Sequence, residues 1–177
     1  MTLIMALDQG TTSSRTVLVN AMGEIVGQSS ALLDCHYPQT GWVEQDPLQI
    51  WETQRMTMHD VMQKTNVKIE DVVGLGITNQ RETTVVWEKA TGKPLAPAIV
   101  WQCRRSTAIC EQLKAEGKES LISKKTGLVL DPYLSASKLG WLLNVVPGLN
   151  ERLKGGEICF GWVVSCFICK MTAGNEF

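Results

Sequence analysis

An α/β domain is the fold class this 177-residue sequence predicts, with helices packed on a mixed sheet that starts as an antiparallel three-strand meander. Three observations predict it. The first strand-like runs are joined by turns too short for a parallel crossover, a helix follows behind a clear cap signal, and strands and helices then alternate. Leu3 to Asp8 reads as a buried strand, Thr16 to Asn20 as a second, and Ile25 to Leu33 as a third. The polar segment Gln9-Gly-Thr-Thr-Ser-Ser-Arg15 and the turn Asn20-Ala-Met-Gly23 connect them.

Asp46-Pro47 pairs an N-cap residue with proline at the first helical position, so a helix is expected from there to about Asn66. Its expected core face is Leu48, Trp51, Met58 and Met62, at helical spacing. Val72 to Thr78 is nearly all apolar, the pattern of a strand covered on both faces. Thr83 to Trp87 and Ala98 to Trp101 read as strands, with a turn at Ala90-Thr-Gly-Lys-Pro94. Helices are expected over Arg104 to Ala115, ending at Gly117, and over Ser135 to Val145, stopped by Pro147-Gly148. Ile158 to Met171 is apolar without clear periodicity, so strand, helix or both are open there. With no repeat, low-complexity tract or linker, one compact α/β unit is the simplest organisation.

Composition narrows the function. Seventeen basic against eighteen acidic residues leave a formal charge of −1, so no basic excess exists to follow a nucleic-acid backbone. Met1 to Met5 is apolar but has no basic flank, and the uncharged run Ile158 to Cys169 is well short of the ~20 residues that span a bilayer. A cytoplasmic chain without a membrane span is expected. The six cysteines include one CxxC, Cys166-Phe-Ile-Cys169, with apolar residues inside it and neither histidine near in sequence, so buried free thiols are expected rather than a metal site.

The densest chemistry lies in Asp8-Gln-Gly-Thr-Thr-Ser-Ser-Arg15. Gly10 lets a ligand approach the backbone, hydroxyls and amides offer donors to phosphate oxygens, Arg15 adds a fixed positive charge, and Asp8 is a hard oxygen ligand suited to Mg²⁺. It is neither a Walker loop nor the GxGxxG fingerprint, so a phosphate site on a hairpin is implied. Thr78-Asn-Gln-Arg-Glu-Thr83 follows a strand and brings Arg81 and Glu82, a donor and an acceptor for a small polyol. Val100-Trp-Gln-Cys-Arg-Arg105 offers Trp101 as a pocket wall or a core residue. In Asp131-Pro-Tyr133 the Tyr133 hydroxyl is placed to meet a ligand or the backbone.

These segments, with Gly41-Trp-Val-Glu-Gln-Asp-Pro47 and in this order, resemble the glycerol kinase family of the carbohydrate-kinase superfamily from about Leu3 to about Gly161. The resemblance implies a ribonuclease H-like, actin-type fold and transfer of the ATP γ-phosphoryl group to glycerol, giving glycerol 3-phosphate. It implies that Thr11, Thr12 and Ser13 hold phosphates, that Arg15 lies near the transferred group and that Asp8 serves Mg²⁺. Arg81, Glu82 and Tyr133 would hydrogen-bond the glycerol hydroxyls, with Trp101 against its carbon edge.

Two departures stand out. Where the family continues Phe-Gly-Thr-Val-Asp-Ser-Trp, this chain reads Phe160-Gly-Trp-Val-Val-Ser-Cys166. The family's first domain also continues beyond Phe177, and its second domain carries the adenine pocket and the aspartate that acts as general base. By resemblance, residues 1–177 are a partial N-terminal kinase domain, incomplete at the C-terminus and without a general base of its own. A general base contributes ~10²–10⁴-fold, so turnover by this chain alone is expected to be slight. Two other readings stay open: another sugar kinase of the superfamily, or a non-catalytic fragment acting by association, as a homo-oligomer, through core surface left exposed by truncation together with the apolar tail Ile158 to Cys169.

Overall fold

The computed structural model describes residues 2–174, and the chain forms two compact units rather than one. Met1–Cys35 with Gln45–Gln80 make the first, and His36–Glu44 with Arg81–Phe177 the second. The later strands Val85–Glu88 and Ile158–Gly161 pair with each other instead of extending the first sheet.

In the first unit β1 (Leu3–Gln9), β2 (Ser13–Asn20) and β3 (Ile25–Leu32) form the expected antiparallel meander. After the two-residue strand β4 (Glu44–Gln45), helix α1 (Pro47–Thr65) crosses back, and β5 (Val72–Asn79) joins parallel to β1. The sheet order is β3-β2-β1-β5, a mixed sheet as expected. The Asp46 side chain caps α1 by accepting from the Leu48 amide at 2.8 Å, and Asn66 ends it in the left-handed region at φ 55°.

Strand β1 alternates, burying Leu3, Met5, Leu7 and Gln9 and exposing Ile4 and Asp8. The face of α1 that it buries is not the expected stripe. Pro47, Ile50, Gln54, Thr57 and Val61 are buried, while Leu48 is half exposed. The reason lies in what the sheet presents: Ser14 and Thr16 bond Thr53 and Thr57 at 2.8 and 2.9 Å, and the Gln54 amide donates to the Thr16 hydroxyl and the Arg15 carbonyl at 2.9 and 3.0 Å. Buried polar groups must be matched, and that requirement outweighs apolar periodicity here. Strand β5 likewise departs from expectation, with Val73 and Leu75 65% and 46% exposed. It sits at the sheet edge, whereas α1 packs mainly on β2 and β3.

In the second unit β6 (Val85–Glu88) begins two residues later than expected, β7 (Ala98–Ile99) is short, and α2 (Thr107–Ala115) starts after Arg104 to Ser106 rather than at Arg104. Next come α3 (Glu119–Thr126), α4 (Ser135–Val145) and α5 (Leu149–Lys154). The apolar stretch then resolves into β8 (Ile158–Gly161), antiparallel to β6, followed by α6 (Val163–Met171). Helices α3 and α5 escaped the sequence pattern because α3 buries no residue and α5 has only six.

The core of this unit includes Val85, Val86, Trp87, Ile99, Leu142, Val163 and Phe167. Val163, Cys166, Phe167 and Cys169 are all buried within it, so these four residues of the apolar tail do not offer a surface for association. Burial pushes the Cys166 thiol up to about 11, which keeps it protonated. Arg105 is 3% exposed in its side chain, pairs with Glu44 at 2.7 Å, and lies 4.0 and 4.9 Å from the ring centres of Trp42 and Trp141. Among the described residues no helix is long and apolar enough to cross a membrane.

Candidate functional site

The phosphate hairpin belongs to the first unit. β1 and β2 leave Gly10, Thr11 and Thr12 as the connection, and the Gly10 amide donates to the Ser13 carbonyl at 2.9 Å. A Cβ at Gly10 would stand 3.2 Å from that carbonyl oxygen, so the tight turn accounts for glycine there. Antiparallel register sets Asp8 directly opposite Arg15. Both are exposed, on the sheet face away from α1, and neither forms an ion pair among the described residues. Ser13 shares this face with Arg15 by strand alternation, whereas Ser14 points the other way to Thr53. One of the four consecutive hydroxyls is thus structural, and Thr11, Thr12 and Ser13 remain with the turn.

Three glutamines that the sequence reading passed over shape this hairpin from behind. Gln9, Gln45 and Gln80 are nearly or fully buried. The Gln80 amide donates to the side-chain oxygens of Gln9 and Gln45 at 3.1 and 2.7 Å. The Gln9 amide in turn holds the Gly10 carbonyl at 2.7 Å and the Gln45 amide the Thr11 carbonyl at 2.6 Å, while the Leu33 amide holds that of Thr12 at 2.9 Å. Three successive carbonyl oxygens are therefore drawn inward. That removes their negative ends from the outer side, where an anion would be repelled. The signal available beforehand was that each glutamine adjoins or sits inside a motif, each with both a donor and an acceptor.

The candidate polyol residues belong to the second unit. Arg81 is exposed. Glu82 is half buried with φ 65°, a conformation that costs an L-residue roughly 1–2 kcal/mol. Its Oε2 accepts from the Ser135 amide at 2.7 Å and the Ser135 hydroxyl at 2.8 Å, at the N-terminus of α4, where no local side chain supplies a cap. Trp101 and Tyr133 meet edge to face, with ring centres 6.0 Å apart. The Trp101 ring is thus packed on Tyr133 rather than lost in the core, and its backbone amide bonds the Thr83 hydroxyl at 3.2 Å.

Tyr133 is gripped at both ends. Its amide donates to Asp131 at 2.7 Å, and its carbonyl accepts from the Lys138 ammonium. Burial opposes ionisation of Asp131, but the Tyr133 amide and the Arg104 guanidinium at 2.9 Å outweigh it and hold the carboxyl below its ordinary value. Lys138 is fully buried, and that desolvation lowers it to about 8 against the pull of Glu82, Cys103, Asp131 and Cys110.

Residues 3–177 match the N-terminal domain of the FGGY family of carbohydrate kinases. The chain is 52% identical over 172 residues to glycerol kinase of Aeromonas hydrophila, covering 97% of this chain and 34% of that protein. Glycerol kinase of Shigella dysenteriae gives the same identity and coverage. Among solved structures, Plasmodium falciparum glycerol kinase with ADP superposes with a TM-score of 0.92 at 29% identity, covering 99% of this chain and 35% of that one. A xylulose kinase from Lactobacillus acidophilus, at 22% identity and a TM-score of 0.82, shares the fold. The chain thus spans about a third of the length of these relatives. Matched along nearly its whole length by the family's N-terminal domain and about half identical to these relatives, the chain belongs to the FGGY family of carbohydrate kinases.

Proposed function

We propose that this chain supplies the phosphate-binding hairpin and the polyol-binding residues of an ATP-dependent glycerol kinase acting in the cytoplasm. The observation that supports this reading most is the grouping of Glu82, Trp101 and Tyr133: an anchored carboxylate accompanies an aromatic pair in a sequence about half identical to glycerol kinases. Arg81 and Glu82 offer a donor and an acceptor to adjacent hydroxyls, the Tyr133 hydroxyl a further partner, and Trp101 a flat wall for the carbon edge. In the hairpin, Thr11, Thr12 and Ser13 would bind the ATP phosphates, and Arg15 would stabilise charge on the transferred group.

Mg²⁺ fits the hairpin's chemistry. Asp8 is an exposed carboxylate without an ion pair among the described residues, and Mg²⁺ is commonly held by one or two carboxylates together with phosphate and water. When bound it would neutralise phosphate charge. None of these residues is assigned to take the proton of the attacking hydroxyl, because Asp8 is committed to the metal and Glu82 to substrate.

The purified 177-residue chain is expected to bind glycerol weakly and to turn it over at a trace at most. Ligand-observed NMR reads the binding: glycerol should show saturation transfer that Glu82→Ala or Trp101→Ala abolishes. Transfer to pentoses with none to glycerol would move the reading to another sugar kinase. Robust ATP-dependent glycerol phosphorylation would show that one of this chain's residues also takes the proton of the attacking hydroxyl.

A further inference from the structure

We propose that Trp162 and Ser135 are positioning residues that fix which oxygen of Glu82 faces a substrate. The indole Nε1 of Trp162 donates to the Ser135 hydroxyl oxygen at 2.8 Å, and the Ser135 hydroxyl lies 2.8 Å from Glu82 Oε2. An indole N–H only donates and an ionised carboxylate only accepts. The Ser135 hydroxyl therefore accepts from Trp162 and gives its single proton to Glu82, which ties the carboxylate to the indole through one anchored hydroxyl. The Ser135 amide, 2.7 Å away, gives Oε2 its second donor. Oε2 is thereby committed, whereas Oε1 carries no hydrogen bond among the described residues. One carboxylate then offers one oxygen, in one orientation, to one hydroxyl.

The surroundings support a positioning role. Glu82 holds a left-handed backbone conformation at φ 65°, and the two bonds from Ser135 act where that conformation is unfavourable. Trp162 stands at the N-cap of α6 without capping it through its side chain, and its ring lines a cavity of about 240 Å³ with Thr84, Ser135, Phe160, Gly161 and Ser165. Position 162 is also where the sequence departs from the glycerol kinase pattern, which has threonine after Phe-Gly.

The proposal rests on reading Glu82 as the acceptor of a substrate hydroxyl, and the test separates the two. On the ¹⁵N-labelled chain the Trp162 indole N–H, one of six, is assigned by heteronuclear NMR. Ser135→Ala should move its proton signal upfield and speed its exchange, and Ser135→Thr should restore both. Glu82→Gln, two bonds away, should also move it, whereas Glu111→Gln, an equal charge loss on exposed α2, should not. If Glu82→Gln leaves the indole as undisturbed as Glu111→Gln does, the positioning proposal is overturned. Adding glycerol should shift the same signal, and Trp162→Phe should weaken glycerol binding roughly three- to tenfold, the size of one net hydrogen bond. An indole that answers to Glu82→Gln but not to glycerol would support the positioning role and overturn the substrate reading.

Discussion

A buried lysine beside the candidate polyol residues makes the second unit sensitive to pH. Lys138 is lowered to about 8 from an ordinary 10.5 because burial penalises its charge. The folded state therefore releases this proton at lower pH than the unfolded chain, and stability should rise from about pH 8 to about 10.5. The expected gain is at most about 3 kcal/mol, and Lys138→Met should abolish the slope in urea unfolding across that window. Arg105 shows the opposite kind of buried cation, one matched by Glu44 and two indole faces. Arg105→Gln should cost about 3–5 kcal/mol by leaving Glu44 without its partner, read as a lower denaturation midpoint. Both positions stand in segments singled out from the sequence or just beside them, but their burial was not legible there. A lysine or arginine looks the same in a string of letters whether it is solvated or enclosed.

At the scale of the element, the contact between α1 and the sheet depends on one missing side chain. A Cβ at Gly27 on β3 would lie 2.3 Å from Thr65 Cγ2 at the end of α1 and 3.4 Å from Val61 Cγ2. Gly27→Ala should destabilise the chain by about 1–3 kcal/mol through overpacking, and Thr65→Ser, which removes the clashing methyl, should recover most of it in a double-mutant cycle. The meander, the capped start of α1 and the breaks at Gly117 and Pro147 were readable because turns and caps are local chemistry. The buried stripe of α1 was not. Its choice of Gln54 and Thr57 over Leu48 depends on hydroxyls that β2 delivers from some forty positions away.

For the molecule as a whole, the motifs carried the family, while the glutamines behind the hairpin and the Trp162 bond to Ser135 required coordinates. The candidate residues fall into two sets held by different means. The hairpin set is held from behind by neutral amides, and the polyol set by the N-terminal turn of α4 through Ser135 and Lys138. What links sequence to site in both cases is a residue next to a motif rather than within its most recognisable part.

The polar seam between α1 and its sheet also bears on heat. Exposing apolar surface raises the heat capacity of unfolding and exposing polar surface lowers it, so a helix that docks through Ser14, Thr16, Thr53, Gln54 and Thr57 should contribute less of that increment than an aliphatic one of equal area. Converting the seam to hydrocarbon with Thr16→Val and Thr57→Val together should raise the calorimetric heat-capacity step and bend the stability curve more sharply on cooling. The native seam should keep the protection of α1 amides against deuterium exchange more nearly constant between cold and ambient temperature.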